Sequence, residues 1–308
     1  MAIDVSLPHT SGRVFLTDGG LETDLIFLRG IDLPEFASFP LLDDPAQTAV
    51  LRDYFVDYLR LAAGSGLGLV LESPTWRASS EWGEILGYDA DRLADVNRRA
   101  VELLIDLRSS EGSGDVVVSG CIGPRGDAYV DLGSMTPEEA EAYHGVQVGV
   151  LADAGADIVS AITLTNTAEA IGVVRAAQAR AVPAVIGFTV ELDGRLPTGM
   201  ALADAMAEVD AATDAGAAYF MINCAHPDHF ASTLAADGAT LPRLGGVKAN
   251  ASRRSHAELD DSTELDIGEP AEFGSQLADL HARHPNITVL GGCCGTDIRH
   301  LAAVANAL

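Results

Sequence analysis

The sequence predicts an α/β protein folded as a single closed (β/α)8 barrel, the TIM-barrel architecture, and three observations carry that reading. Eight short apolar runs recur along the chain, at 14–17, 68–71, 115–119, 157–162, 184–188, 218–222, 244–248 and 287–290. None alternates polar with apolar residues, as expected of parallel strands covered on both faces. A longer stretch with helical signals follows each run, and eight such strand–helix units suit a closed barrel. An open doubly wound sheet is the alternative, but the GxGxxG that a dinucleotide site needs after the first strand is absent. The barrel is expected to occupy residues 1–308 as one domain.

Each unit has its own signature. The first run ends at Asp18-Gly19-Gly20, and its helix opens at Asp44-Pro45 with a cap residue and then proline at the first helical position. The second run ends at Glu72. The third leads through Cys121 into an unusually long segment, 121–135, before Thr136-Pro137-Glu138-Glu139 supplies cap, proline and capping-box glutamate. Thr163 ends the fourth run, and Thr189 and Glu191 follow the fifth. The sixth ends in Asn223-Cys224. After the seventh comes Asn250 and a polar, charged stretch, 250–268, that reads as a loop or lid. Cys293-Cys294 follow the eighth, and the last helix is expected over 297–306. In this architecture all eight strand ends share one rim, where barrel loops build active sites.

Composition narrows the partners. There are 45 acidic and 19 basic residues, a net charge of −26, and Lys248 is the only lysine. Such a field disfavours phosphate backbones and anionic membranes, so neither nucleic acid nor a membrane is an expected partner. The charge describes either an ordinary solvated surface or adaptation to a salty cytoplasm. No apolar run approaches the roughly 20 residues of a membrane span. The N-terminus also lacks the basic start and apolar stretch of a secretory signal, so a cytoplasmic protein is expected. Composition is silent on assembly and is compatible with a homo-oligomer. Four cysteines, irregularly spaced, do not make a disulfide framework in a chain of this size.

Those cysteines carry the chemistry instead. Strands six and eight lie two apart around the barrel, so Cys224 can meet Cys293 and Cys294 across its mouth. Three thiolates at about 2.3 Å form a good zinc shell and leave a fourth position open, as in catalytic sites. The glycines of GGCCGT let both adjacent sulfurs turn to the ion. The alternative is three buried small side chains, a common fate of free cysteine. Three anionic ligands make zinc a weak Lewis acid, poorly suited to hydrolysis, where His ligands and a carboxylate base are usual. The shell suits activation of a fourth sulfur. A free thiol, with a pKa of about 8.5, is mostly protonated at neutral pH. Bound to zinc it loses the proton yet stays nucleophilic, ready to attack a methyl group on a cationic donor.

DGGLETDL at 18–25, GCIGPRGD at 120–127, INC at 222–224 and GGCCGT at 291–296 resemble the homocysteine S-methyltransferase family. That family includes betaine–homocysteine methyltransferase and the homocysteine domain of cobalamin-dependent methionine synthase. The motifs keep order and spacing over essentially the whole chain. The resemblance implies a zinc-dependent thiol S-methyltransferase of methionine biosynthesis, with Cys224, Cys293 and Cys294 as the zinc ligands. Its partners would be a small thiol acceptor and a methyl donor: S-methylmethionine, S-adenosylmethionine, a betaine or a methylated corrinoid protein. It also implies that Asp18, with the backbone of Gly19 and Gly20, holds the acceptor's amino group and that Asn223 lies beside the metal.

Departures from the family pattern leave alternatives open. Ile162 stands where the family has a glutamate that helps bind the acceptor's ammonium. Either Glu72 or Glu191 reaches the same point, or the acceptor is a thiol or selenol other than homocysteine. Ser73–Ala78 resembles the family's Thr-x-Thr-Tyr-Gln stretch and retains Thr75, with Trp76 and Arg77 as replacements. Trp76 either offers a π face to a cationic donor or packs at the barrel mouth. Arg77 suits a carboxylate. Asn250-Ala251-Ser252 replaces a PNSGE-like loop. Thr163 completes the candidate substrate contacts on the rim. Cys121 reads as packing, His226 and His229 have a spacing that could suit a metal but read as solvent-facing or packing residues, and Lys248 lacks an aldolase-like setting. A non-catalytic zinc-binding barrel is the rival from another class; Ile162 favours it, and Asp18 with its two-glycine turn opposes it.

Overall fold

The computed structural model describes residues 6–111, 114–126, 135–237, 241–260, 262 and 264–308. Residues 127–134 of the long segment after strand three, including Asp127 of GCIGPRGD, and positions 261 and 263 of the loop after strand seven lie outside the described residues.

Eight parallel strands close on themselves in sequence order. They are β1 (Phe15–Thr17), β2 (Gly68–Glu72), β3 (Val116–Ile122), β4 (Ile158–Leu164), β5 (Ala184–Phe188), β6 (Ala217–Asn223), β7 (Leu244–Ala249) and β8 (Val289–Gly292). Phe15 opposite Val289 and Leu16 opposite Leu290 complete the ring. One main helix follows each strand: α1 (Pro45–Ser65), α2 (Ala90–Glu111), α3 (Pro137–Asp153), α4 (Thr167–Ala179), α5 (Leu202–Thr213), α6 (Pro227–Asp237), α7 (Pro270–Arg283) and α8 (Ile298–Ala307). Asp44 caps α1 by accepting from the N–H groups of Ala46 (2.7 Å) and Gln47 (3.2 Å). Thr136 and Glu139 form the capping box at the start of α3. No helix among the described residues is long and apolar enough to cross a membrane.

The expected (β/α)8 barrel is the one observed, with β2, β3, β4, β6 and β7 longer than expected, and the extensions of β3 and β4 bear on the site. Gly120 and Cys121 pair with Val159 and Ser160, so β3 runs on to Ile122 and Cys121 lies inside it rather than after it. The ladder of β4 passes an irregularity between Ala161 and Leu164, which places Thr163 within the strand. Small and polar residues there hide the pairing from a search for apolar runs.

Alternation along the strands sets two cores. Outward residues such as Leu69, Ile186, Phe220 and Leu290 pack among the helices. Inward residues Phe15, Val70, Val117, Val185, Met221 and Val289 fill the lower barrel. Leu7 packs on that inner cluster and the His9 ring lies 5.9 Å from Tyr219, so the N-terminal segment covers the end opposite the rim. Above the apolar layer the inward positions turn polar, with Thr17, Glu72, Ser119, Ser160 and Lys248 all buried. That change marks the floor of the site.

Candidate active site

Cys224 leaves β6 immediately after its last residue and is 2% exposed, with its backbone in the left-handed region (φ 54°). Cys293 and Cys294 leave β8 directly after Gly291 and Gly292. A Cβ on Gly291 would collide with the Thr17 side chain, and one on Gly292 with Thr296, so only glycine lets this strand end lie so close to its neighbours. Gly295 (φ 80°) then reverses the chain. The three sulfurs fall within 4.8 Å of one another, and Cys224 Sγ to Cys294 Sγ is 3.7 Å. Tetrahedral ligation at about 2.3 Å spaces sulfurs about 3.8 Å apart, so the residues fit such an ion. Crowding against Cys224, together with burial, pushes the Cys293 thiol up to about 12, and Cys294 is raised for the same reasons. Three thiols this close ionise together only if a cation shares their space. Among the described residues no other three His, Cys, Asp or Glu side chains gather in this way.

Asn223 braces this corner. Its Oδ1 accepts from the Thr163 N–H (2.8 Å) and its Nδ2 donates to Thr163 Oγ1 (2.8 Å). Thr163 has φ 64°, a conformation that a β-branched residue adopts only when its surroundings impose it. The Cys224 N–H donates to the Lys248 carbonyl (3.0 Å), and the Cys224 carbonyl accepts from His256 Nε2 (2.7 Å). Backbone strain thus flanks Asn223 on two strands, and neighbouring elements hold both strained residues.

A cavity of about 370 Å³ opens above the cysteines. On its wall the ammonium of Lys248 donates to Asp18 Oδ1 (2.8 Å) and to Glu72 Oε2. All three side chains are buried. Burial alone would favour the neutral amine of Lys248, but Asp18 and Glu72 outweigh it and raise its pKa, so it stays charged and is no Schiff-base nucleophile. Burial pushes Asp18 up, Lys248 opposes this, and Glu72 adds to it. Asp18 therefore already holds an ammonium supplied by the chain itself. The Gly19-Gly20 turn is wedged against the Cys293–Thr296 loop: the Gly20 N–H donates to Thr296 O (3.1 Å), and a Cβ on Gly20 would lie 2.5 Å from Cys293 O.

Glu22 also lines the cavity, although it lies inside the DGGLETDL motif with no signal of its own. Ser38 Oγ donates to Glu22 Oε1 (2.8 Å), while burial pushes this carboxyl up. Lys248 and His256 were missed as site residues too. Lys248 was weighed only as a nucleophile, and His256 carries no signal inside a polar loop.

The remaining expected residues sit as follows. Glu72, Trp76 and Thr163 line the cavity. Arg77 lies over the Trp76 ring (4.6 Å to the centroid) and over Trp82 (3.7 Å), and Phe36 meets Trp76 edge-on. A cation from the chain thus already covers one Trp76 face. Thr75 is fully buried behind the wall and donates to Cys121 O (2.7 Å). Glu191 is partly exposed, 3.5 Å from His256 Nδ1, and is absent from the cavity lining. Cys121 lines the cavity but lies outside the sulfur cluster. His226 and His229 are buried rather than solvent-facing; burial lowers His226 to about 4, and His229 donates to the Arg253 carbonyl (2.9 Å).

The sequence profile described as Homocysteine S-methyltransferase matches residues 15–308. A homocysteine S-methyltransferase from Escherichia coli is 26% identical over 94% of both chains. Homocysteine S-methyltransferase 4 from Zea mays is 24% identical, covering 97% of this chain and 90% of its own. A selenocysteine Se-methyltransferase from Brassica oleracea is 28% identical over 53% of this chain and 51% of its own. In structure, the metallated form of the homocysteine methyltransferase MmuM from Escherichia coli shares the fold, with a TM-score of 0.75 over 96% of both chains at 22% identity.

Proposed function

The chain belongs to the homocysteine S-methyltransferase family and is a thiol S-methyltransferase, and from that premise we propose that it uses zinc to methylate homocysteine or a related small thiol. The methyl group would come from a small cationic donor: S-methylmethionine, S-adenosylmethionine or a betaine. One observation carries the proposal. Three sulfurs lie within 4.8 Å of one another on the wall of a cavity, and Cys224 and Cys294, 3.7 Å apart, match tetrahedral spacing. Cys224, Cys293 and Cys294 would hold the ion, and the all-sulfur donor set suits a soft or borderline metal such as zinc. Held by three thiolates, zinc would supply one kind of chemistry here, deprotonation of a fourth sulfur that remains nucleophilic.

The chain's own residues do the positioning. Asn223 holds Thr163 and the entry to Cys224 in strained conformations, so the sulfurs face the cavity before substrate arrives. Phe27, Phe36, Leu259 and Leu265 line the cavity and exclude water from a cationic donor. In the transfer, a bond forms between the acceptor sulfur and the methyl carbon as the donor's C–S or C–N bond breaks, and the donor leaves neutral. The metallated form named for the Escherichia coli relative supports a metal. The Se-methyltransferase among the relatives supports a choice of acceptor wider than homocysteine. We place the enzyme in the cytoplasm, as one 1–308 domain acting on two small molecules.

The test is turnover. Zinc-loaded protein incubated with homocysteine and each donor should yield methylated thiol by mass spectrometry, and Cys294→Ser should abolish it. Zinc-replete protein that methylates no small thiol with any of these donors would support a non-catalytic metal-binding barrel.

A further inference from the structure

We propose that Glu22, on the loop between β1 and α1, is the residue of this chain that binds the acceptor's ammonium. The inference rests on the thiol-methylating reading of this cavity and adds to it the residue that selects the acceptor.

The argument is a count of charges. Five carboxyls line the cavity; Glu264 is exposed and Asp266 accepts from Ser252, which leaves Asp18, Glu22 and Glu72 to be balanced. One ammonium serves them, and it closes on Asp18 (2.8 Å) and Glu72. The other fixed cation of the cavity lining, Arg77, is stacked on Trp76 and Trp82. Glu22, half-buried, accepts from the neutral Ser38 hydroxyl at 2.8 Å; among the described residues no salt bridge reaches it, and Lys248 acts on it only at longer range. A partly desolvated carboxylate without a paired cation is costly, and a ligand that brings one removes that cost.

Place and shape favour the acceptor over the donor as the bearer. Glu22 lies two residues past Gly20, whose Cβ position is 2.5 Å from Cys293 O, so it stands beside the sulfur cluster rather than out at the mouth. Across the cavity Ile162 is apolar, and Thr163 and Asn223 are hydrogen-bonded to each other. A sulfonium or quaternary ammonium has no N–H to donate and is better served by the apolar and aromatic walls. A primary ammonium has three N–H groups and suits a carboxylate that one hydroxyl already orients.

Glu22→Gln tests this, because glutamine keeps the volume and the acceptor for Ser38 and deletes only the charge. Homocysteine is compared with its des-amino analogue, 4-mercaptobutanoate, in two assays on zinc-loaded protein: calorimetric binding, and kcat and KM with one donor fixed. The wild type should prefer homocysteine by about tenfold to a hundredfold in Kd and KM, the range of one charge-assisted hydrogen bond. Glu22→Gln should erase that preference by weakening homocysteine alone, with kcat little changed. Equal binding of the two thiols by the wild type, a preference that survives Glu22→Gln, or binding of neither thiol would overturn the proposal. Preference in binding without methyl transfer would uphold Glu22 and remove the methyltransferase reading. Turnover without preference would do the reverse.

Discussion

Lys248→Met deletes the ammonium between Asp18 and Glu72 while keeping most of the buried stem. Both carboxylates lie in the barrel interior, with Asp18 2% and Glu72 4% exposed, and among the described residues Lys248 is the only basic side chain paired with either. Removing one member of a buried ion cluster costs about 3–5 kcal/mol, because the charge left behind has neither water nor a partner. At about 2.1 cal/mol/K per residue, unfolding of 308 residues carries an entropy of about 0.65 kcal/mol/K. The loss therefore corresponds to a fall in Tm of about 5–8 °C. Its pH dependence identifies the cause. Burial already pushes Asp18 upward with Lys248 in place, and deleting the lysine raises it further. A carboxyl whose folded pKa lies above its unfolded value binds more protons when folded, so acid favours the folded state. The deficit of the variant should be larger at pH 8 and shrink as pH falls through the wild-type Asp18 value of about 7, below which this carboxyl is protonated in both folded proteins. Urea melts of wild type and variant at pH 5 and pH 8 measure both quantities. A deficit below about 1 kcal/mol, or one equal at the two pH values, would refute the view that Lys248 neutralises this pair.

Purified protein should carry about one zinc per chain, with large losses in Cys224→Ser, Cys293→Ser and Cys294→Ser and none in Cys121→Ser, since ligands release metal when a thiolate is removed. Full retention in Cys294→Ser, read by elemental analysis, would eliminate the three-cysteine centre. Adding acceptor should bring a fourth sulfur into the zinc-edge X-ray absorption spectrum and release about one proton near neutral pH; a shell unchanged at saturating acceptor would make the metal structural. Asn223→Ala should cost about 2–4 kcal/mol and depress turnover, because it strands the buried Thr163 N–H and releases a strained backbone. A loss under about 1 kcal/mol in denaturant melts would show that Asn223 holds nothing.

The strands were legible because a parallel strand buried on both faces has an apolar run as its signature. The expected 184–188 is the observed Ala184–Phe188, and β2 differs from expectation only by its final Glu72. The ends of β3 and β4 were not legible. Hydropathy reports what surrounds a side chain, whereas the ladder passes through Cys121 and Thr163 by backbone hydrogen bonds that any residue can make. The cysteines were legible because strand order alone brings β6 and β8 to one rim. Lys248, Trp76 and Glu191 needed the third dimension. The partners of Lys248 lie 230 and 176 residues away. An open π face on Trp76 and a rim position for Glu191 are each plausible until Arg77 and His256 are placed against them.

The parts that resisted sequence reading share a physical cause. The chain supplies its own cations at Asp18 and at Trp76, where the sequence suggested substrate cations, so composition cannot say which carboxylate remains for a ligand. The fold shows that Asp18 and Glu72 already share Lys248, and it also accounts for the strain around Asn223. Left-handed Thr163 and Cys224, with three thiols pressed to within 4.8 Å, make a corner that is unfavourable alone. A divalent cation reverses that balance, because mutual repulsion of the sulfurs becomes shared attraction to the ion. Metal binding should therefore be tightly linked to the local stability of β6 and β8. The strain at Cys224 is tolerated because Asn223, His256 and the Lys248 backbone hold the sulfur where the proposed ion and acceptor would need it.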